Sequence, residues 1–307
     1  MKKFLLTLLV FGVSFFVVEK VFYFFLWTAP KKEADKRLEM VINGKINKDI
    51  IILGSSRGAR ALLPLQLQDS LGLSAYNLSF PGSNVEFHEF VLRSLLKFNK
   101  KPKLILLVVD DQNELLSTNL INFRYDRFYP LEKYNYINDE MKRRGEKNIL
   151  SDFFVLARMN AKSFNIKKKK FAALDTIREA GAMPLTFEKE GRKWIYKIDS
   201  VHYNIQLEMQ QKLEAFHNIQ ELCVAQNINL VLVCPPNYKK HSTEFENRMR
   251  NLSLPKVHFY VFDTLNPMYV ARNSFSDESH LKINGATLFT NDLIHELKYG
   301  SLARLMK

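Results

Sequence analysis

Five short, mostly apolar runs constrain this chain more than any other feature. They are Asp49 to Gly54, Ala75 to Phe80, Lys103 to Asp110, Asn229 to Cys234 and Val257 to Asp263. Pro81-Gly82 closes the second and Pro235-Pro236 closes the fourth. Runs such as Ile50-Ile51-Ile52-Leu53 do not alternate apolar with polar, so they read as strands buried on both faces. Helical patterns separate them, over Val85 to Lys97, Ile205 to Gln226 and Asn284 to Leu297. Buried strands alternating with helices predict a five-stranded parallel sheet in a three-layer α/β/α domain. Ligands of such sheets bind beyond the carboxyl ends of the strands.

The N-terminus follows another pattern. Met1-Lys2-Lys3 precedes an apolar run from Phe4 to Val18; Glu19 and Lys20 interrupt, and Val21 to Trp27 is apolar again. A helix from Phe4 to Trp27 would be about 36 Å long, enough to cross a hydrocarbon core of about 30 Å. Tyr23 and Trp27 suit an interfacial belt. A cleaved signal peptide fits the lysines and the first run, but Phe15 to Phe25 offers only bulky or charged residues where cleavage needs small ones. A soluble, buried helix is the other alternative. The reading is an uncleaved membrane anchor over 1–30, a polar linker helix over 31–48 and an α/β domain over 49–307. Lys2 and Lys3 lie on one side of the span and Lys31, Lys32, Lys36 and Arg37 on the other, a count that does not support an outside catalytic domain.

The composition holds 45 Lys+Arg against 32 Asp+Glu, a formal +13. Thr118 to Ser200 carries 18 basic and 11 acidic residues, a net +7, within an insertion of the α/β domain at about 117–202 that shows no clear strand. That insertion includes Lys142-Arg143-Arg144 and Lys167 to Lys170, interleaved with aromatics. It reads as a solvated surface, a contact for anionic headgroups, or a site for an anionic glycan. No nucleic-acid-binding pattern accompanies the charge, so nucleic acid is not an expected partner. Without a Gly-rich phosphate loop, nucleotide binding is not expected either, and no cofactor is. Two Cys, Cys223 and Cys234, exclude a disulfide scaffold and read as buried thiols. The histidines show no metal-ligand spacing, so no metal is expected.

Two clusters carry possible chemistry. Gly54-Ser55-Ser56-Arg57-Gly58 follows the first strand, where a serine either caps a helix or presents its hydroxyl at the sheet edge. Arg57 in a first helical turn opposes the helix dipole, which suits a ligand or an acidic neighbour. Near the other end stands Ser276-Asp277-Glu278-Ser279-His280-Leu281. A serine nucleophile needs a base, and a histidine base needs a carboxylate to set its tautomer; Asp277 and His280 supply both from one turn. Asp110 and Asp111 read as a solvated strand end rather than the alternative, a pair of catalytic acids.

These clusters resemble the SGNH (GDSL-like) hydrolase superfamily, in particular its membrane-anchored branch in bacterial envelope acylation and deacylation. Gly54-Ser55-Ser56 is similar to the family's Gly-Asp-Ser block, with Ser55 in place of Asp and Ser56 at the nucleophile. Gly82 in Phe80-Pro81-Gly82-Ser83 matches the second block, which donates a backbone N–H. Asp110-Asp111-Gln112-Asn113-Glu114 stands at the third block; it lacks that block's Gly, and Asn113 is its best match for the oxyanion-binding Asn. Asp277 and His280 match the last. The resemblance spans roughly Asp49 to Asp111 and Asn229 to the C-terminus, and omits the insertion. It implies an SGNH/flavodoxin-like sheet, catalytic Ser56, Asp277 and His280, and an oxyanion hole of Ser56, Gly82 and Asn113. Arg57 is a possible substrate contact. The implied function is a membrane-anchored serine esterase or O-acyltransferase acting on an acylated cell-envelope glycan or a similar small ester, on the extracytoplasmic face. Alternatives are an inactive SGNH-like domain that binds an envelope polymer or partners a membrane acyltransferase, and a flavodoxin-like binding module.

Overall fold

The computed structural model describes residues 1–109, 111–160, 169–170, 176–188, 194–199 and 202–306. In chain order the elements are α1 (Lys2–Lys32), α2 (Arg37–Ile42), β1 (Ile50–Leu53), α3 (Ser56–Ala61), α4 (Pro64–Leu71), β2 (Ala75–Asn77), α5 (Val85–Phe98) and β3 (Leu104–Val108). After β3 come α6 (Asn135–Arg143), α7 (Leu150–Phe153), α8 (Val155–Arg158), α9 (Gln210–Ala225), β4 (Asn229–Cys234), α10 (Thr243–Asn251), β5 (Val257–Val261) and α11 (Ile283–Tyr299). The chain divides into two compact units, one of Met1–Glu39 with Arg124–Phe171, the other of Met40–Phe123 with Ala172–Lys307.

The larger unit holds the expected sheet. Its five strands are parallel, in the order β2-β1-β3-β4-β5. Ile50 lies opposite both Ala75 and Leu104, and Leu104 opposite Asn229. The chain leaves β1 for one edge and returns past it to β3, so the order reverses between β1 and β3. A crevice opens at the carboxyl ends of strands where the order reverses in this way.

The residues Ile50, Ile52, Leu104, Leu106, Val108, Val231 and Val233 belong to one core with Leu62, Leu67, Phe289, Leu293 and Leu297. That face is covered by α3, α4 and α11, with α11 packing on both of the others. Strand side chains alternate between faces, so Ile51, Leu53, Ile105, Leu107 and Leu232, all buried, turn to the opposite layer, where α5 packs on α9. Phe289 is fully buried and meets the rings of Tyr260 and Tyr269 at 5.6 and 6.3 Å between centroids. Phe289→Ala is expected to cost about 3–5 kcal/mol. Urea unfolding in detergent checks this: the midpoint falls while the slope stays.

Two expected helices are shorter than their patterns. The polar stretch after α1 forms only α2. The Asp35 carboxylate takes the Arg37 backbone N–H at 3.1 Å and its guanidinium at 2.8 and 3.0 Å, which fixes a new helix start. Gly44, with φ of 68°, ends the turn that follows. The helix expected from Ile205 is broken before α9. Leu207 accepts from Ser117 N–H, Met209 donates to the Leu115 carbonyl, and Leu116 bridges Glu208. These pairings take Leu207 to Met209 out of a helical ladder.

In the smaller unit α1 is long and apolar enough to cross a membrane. Its most apolar 18-residue window has a mean hydropathy of 2.1, and none of that window is buried. Much of the basic charge nearby is paired: Lys142 with Asp139 and Asp152, Arg143 and Arg144 with Glu140, Lys147 with Glu132, Lys169 with Glu33. Lys167 and Lys168 of the expected basic run, and Asp110, lie outside the described residues.

Candidate active site

The site begins at the carboxyl end of β1. Gly54 follows Leu53 with φ of 154°, and a Cβ there would meet the Val108 carbonyl at 2.9 Å. Glycine thus lets β1 run against β3 and turn at once into α3. Gly58, one turn into α3, does the same for the helix: a Cβ would sit 2.5 Å from Ser79 Oγ. The capping role is taken by Ser55, whose side chain accepts the Arg57 N–H at 3.3 Å. Ser56 is therefore released from capping. Its Oγ lies 2.8 Å from His280 Nε2.

His280 comes from the loop ahead of α11, and the chain holds that loop tightly. Ser276 N–H donates to the His280 carbonyl at 2.8 Å, Phe275 pairs with Leu281, and Ser276 Oγ donates to the Phe187 carbonyl. Inside this loop the Asp277 carboxylate accepts the backbone N–H groups of Ser279 and His280 at 2.9 and 3.0 Å. It also meets His280 Nδ1 at 2.8 and 2.9 Å. Burial would raise the Asp277 pKa, but the His280 hydrogen bond and charge, the Ser279 N–H and the Arg60 charge together hold it down to about 2. An ionised carboxylate only accepts, so His280 carries its proton on Nδ1 and its bare Nε2 accepts from the Ser56 hydroxyl.

The His280 pKa is lowered, first by burial and then by Arg60 and Arg57, against the upward pull of Asp277. The ring is thus held neutral, as a base must be. Arg60 was not singled out as a site residue above. Its position was legible, because Ser56 and Arg60 stand four apart on α3 and share a helix face. Arg57 is buried, and its guanidinium donates to the carbonyls of Val109, beyond β3, and Pro235, beyond β4. Those carbonyls offset the unfavourable place of a cation in the first turn.

Phe80-Pro81-Gly82-Ser83 forms a tight turn closed by Ser83 N–H to the Phe80 carbonyl at 3.1 Å, with Gly82 at φ of 74°. Proline second and a left-handed glycine third are the demands of a type II turn. The turn is stitched to the end of β1: Phe80 N–H and Ser83 Oγ reach the Gly54 carbonyl at 2.9 and 3.2 Å. Among the described residues, neither the Ser56 nor the Gly82 N–H has a protein acceptor. Ser83 Oγ also lies 2.8 Å from His88 Nε2, and His88 Nδ1 lies 3.5 Å from Glu114, all three buried. This buried chain beneath the Gly82 turn has no spacing in sequence that marks it. Asn113 sits in a short 3₁₀ turn, Asp111–Glu114, where its carbonyl accepts from the buried Lys212 at 3.1 Å. No hydrogen bond joins its side chain to Ser56 or His280 among the described residues.

Among the described residues no cluster of His, Cys, Asp and Glu is arranged to hold a metal. Cys223 and Cys234 are buried and form no disulfide with each other, and burial pushes Cys223 up to about 12, so it is no nucleophile at neutral pH.

No family model matches the chain, and no curated protein matches it. Solved structures do match. One is a protein from Streptococcus pneumonia, provisionally described as a platelet activating factor, at 11% identity. The match covers 93% of this chain and 99% of that one, with a TM-score of 0.45. Likeness at that level says nothing of activity.

Proposed function

We propose that the chain is a membrane-anchored serine hydrolase of the SGNH type, acting on ester bonds. One observation carries the reading: an unbroken hydrogen-bond chain from Ser56 through His280 to an ionised Asp277 at the carboxyl edge of β1. Ser56 Oγ attacks the acyl carbonyl while its proton passes to His280 Nε2. The Ser56 and Gly82 N–H groups stabilise the oxyanion, with the Asn113 side chain as the third donor that the resemblance implies. Collapse breaks the ester C–O bond, and the leaving alkoxide takes the proton from His280. His280 then deprotonates water, or the hydroxyl of an acceptor, which attacks the acyl-enzyme and frees Ser56. With a glycan hydroxyl as acceptor the same site is an O-acyltransferase. Arg57 braces the edge that faces the substrate. Residues 1–30 anchor the chain, 31–48 link, and 49–307 hold the chemistry on the extracytoplasmic face.

The test is hydrolysis of p-nitrophenyl acetate by the full-length chain in detergent. Turnover that Ser56→Ala abolishes supports the reading. Wild-type protein that turns over no faster than the Ser56→Ala variant favours a non-catalytic binding domain.

The lowered His280 pKa sets the pH profile. Only neutral His280 accepts the proton, so activity falls as the pH drops through its pKa. The acid limb of kcat/KM is expected below the ordinary histidine value of about 6.5. Removing the nearby cation with Arg60→Gln stabilises the imidazolium, raises that pKa and moves the limb to higher pH. A pH–rate profile of both proteins reads the shift.

A further inference from the structure

Outside Met1 and α1, the exposed large apolar side chains described in the smaller unit lie in the segment from Ile149 to Phe154. Ile149, Leu150 and Phe153 are 68%, 50% and 74% exposed. Ile149 stands at the start of α7, Leu150 and Phe153 lie on it, and Phe154 makes the elbow between α7 and α8. The elbow touches α1 low on its apolar stretch: the Phe154 ring meets Phe15 edge-on at 5.6 Å between centroids. The Glu19 carboxylate accepts the first two N–H groups of α8, Val155 at 2.9 Å and Leu156 at 3.2 Å.

The depth of Glu19 follows from both ends of α1. Phe4 to Val18 is about 22 Å of helix, about 8 Å short of a 30 Å core. Counted from the other end, Glu19 lies eight residues, or about 12 Å, below Trp27. Both place the carboxylate inside the hydrocarbon edge, where an unsatisfied charge is costly. The first N–H groups of a helix are equally costly there. Each satisfies the other. The one carboxylate of α7, Asp152, is turned to α6, where it accepts from Lys142 at 2.6 Å and Asn138 at 2.9 Å. What the elbow leaves outward is apolar and continuous with the exposed side of α1.

We propose that the α7–α8 elbow enters one leaflet of the bilayer beside α1, with Ile149, Leu150 and Phe153 against lipid chains and Glu19 as its internal cap. This rests on α1 spanning a membrane, and is independent of the chemistry at Ser56. The insertion then meets the membrane through apolar burial, and most of its described basic residues are engaged in ion pairs.

The experiment uses the full chain in phosphatidylcholine vesicles. Single cysteines at Phe153→Cys, Phe16→Cys and Leu265→Cys carry an environment-sensitive fluorophore; wild-type protein gives the background from Cys223 and Cys234, both buried. Leu265, exposed in the larger unit, is the aqueous control. Lipids brominated along the acyl chain serve as quenchers. The label at 153 is expected to be blue-shifted and quenched severalfold more than at 265, approaching the label at 16. A label at 153 that behaves like 265 while 16 is quenched overturns the proposal. So does efficient 153-to-153 crosslinking without lipid quenching, which would put a second copy on this face. An unquenched label at 16 overturns the membrane span on which the proposal stands.

Discussion

Ser56→Ala is expected to lower ester turnover by about 10⁴- to 10⁶-fold, to the residue of rate that binding and oxyanion donors supply without a nucleophile. The variant should stay folded. Ser55 holds the cap of α3, and the glycines at 54 and 58 that let β1 and α3 approach β3 are untouched. Among the described residues the Ser56 hydroxyl bonds only to His280, which keeps its contacts from Nδ1 to Asp277. Stability should therefore move little while kcat collapses, and substrate binding should persist. Stopped assays at high enzyme concentration, with the urea midpoint as control, check both halves.

The second large effect is at Asp277. Asp277→Asn is expected to reduce kcat by about 10⁴-fold. The oxygen of the amide would still accept the Ser279 and His280 backbone N–H groups, which now reach Oδ1 at 2.9 and 3.0 Å. Its NH₂ would then face His280 Nδ1 and donate to it. That drives the imidazole proton to Nε2, the atom that must be bare to accept from Ser56. The loop keeps its shape and the base loses its tautomer. KM should change little. A ¹⁵N NMR spectrum of the His280 ring in both proteins reads the tautomer directly.

The fold was legible because its signals were local. Ile50 to Leu53 and Leu104 to Val108 are apolar throughout, and a strand with no polar side can lie only inside a covered sheet. The ends of α3 and α11 were legible for the same reason: Gly54 and the turn at Asp277–His280 carry their own geometry. Other features depend on partners far along the chain. The break before α9 is made by Leu115 to Ser117, about 90 residues earlier, and nothing between Ile205 and Gln210 announces it. Arg57 looked like a ligand contact because its cationic charge opposes the α3 dipole. The compensating carbonyls come from Val109 and Pro235, just past the ends of β3 and β4. The buried Ser83, His88 and Glu114 come from the Gly82 turn, α5 and the 3₁₀ turn after β3; His88 in sequence is one polar residue on an otherwise amphipathic helix. Glu19 in sequence only interrupts the apolar run of the anchor, and its satisfaction by Val155 and Leu156 lies 136 and 137 residues away.

The central claim is that Ser56 is a nucleophile activated by His280. Its most direct measurement is the reaction of the full-length chain with a fluorophosphonate, followed by intact mass and peptide mapping. The account predicts one adduct per chain, on the peptide that carries Ser56, slowed severely by His280→Ala and absent from Ser56→Ala. A wild-type chain that takes up no label, or that labels equally with Ser56→Ala, would contradict it.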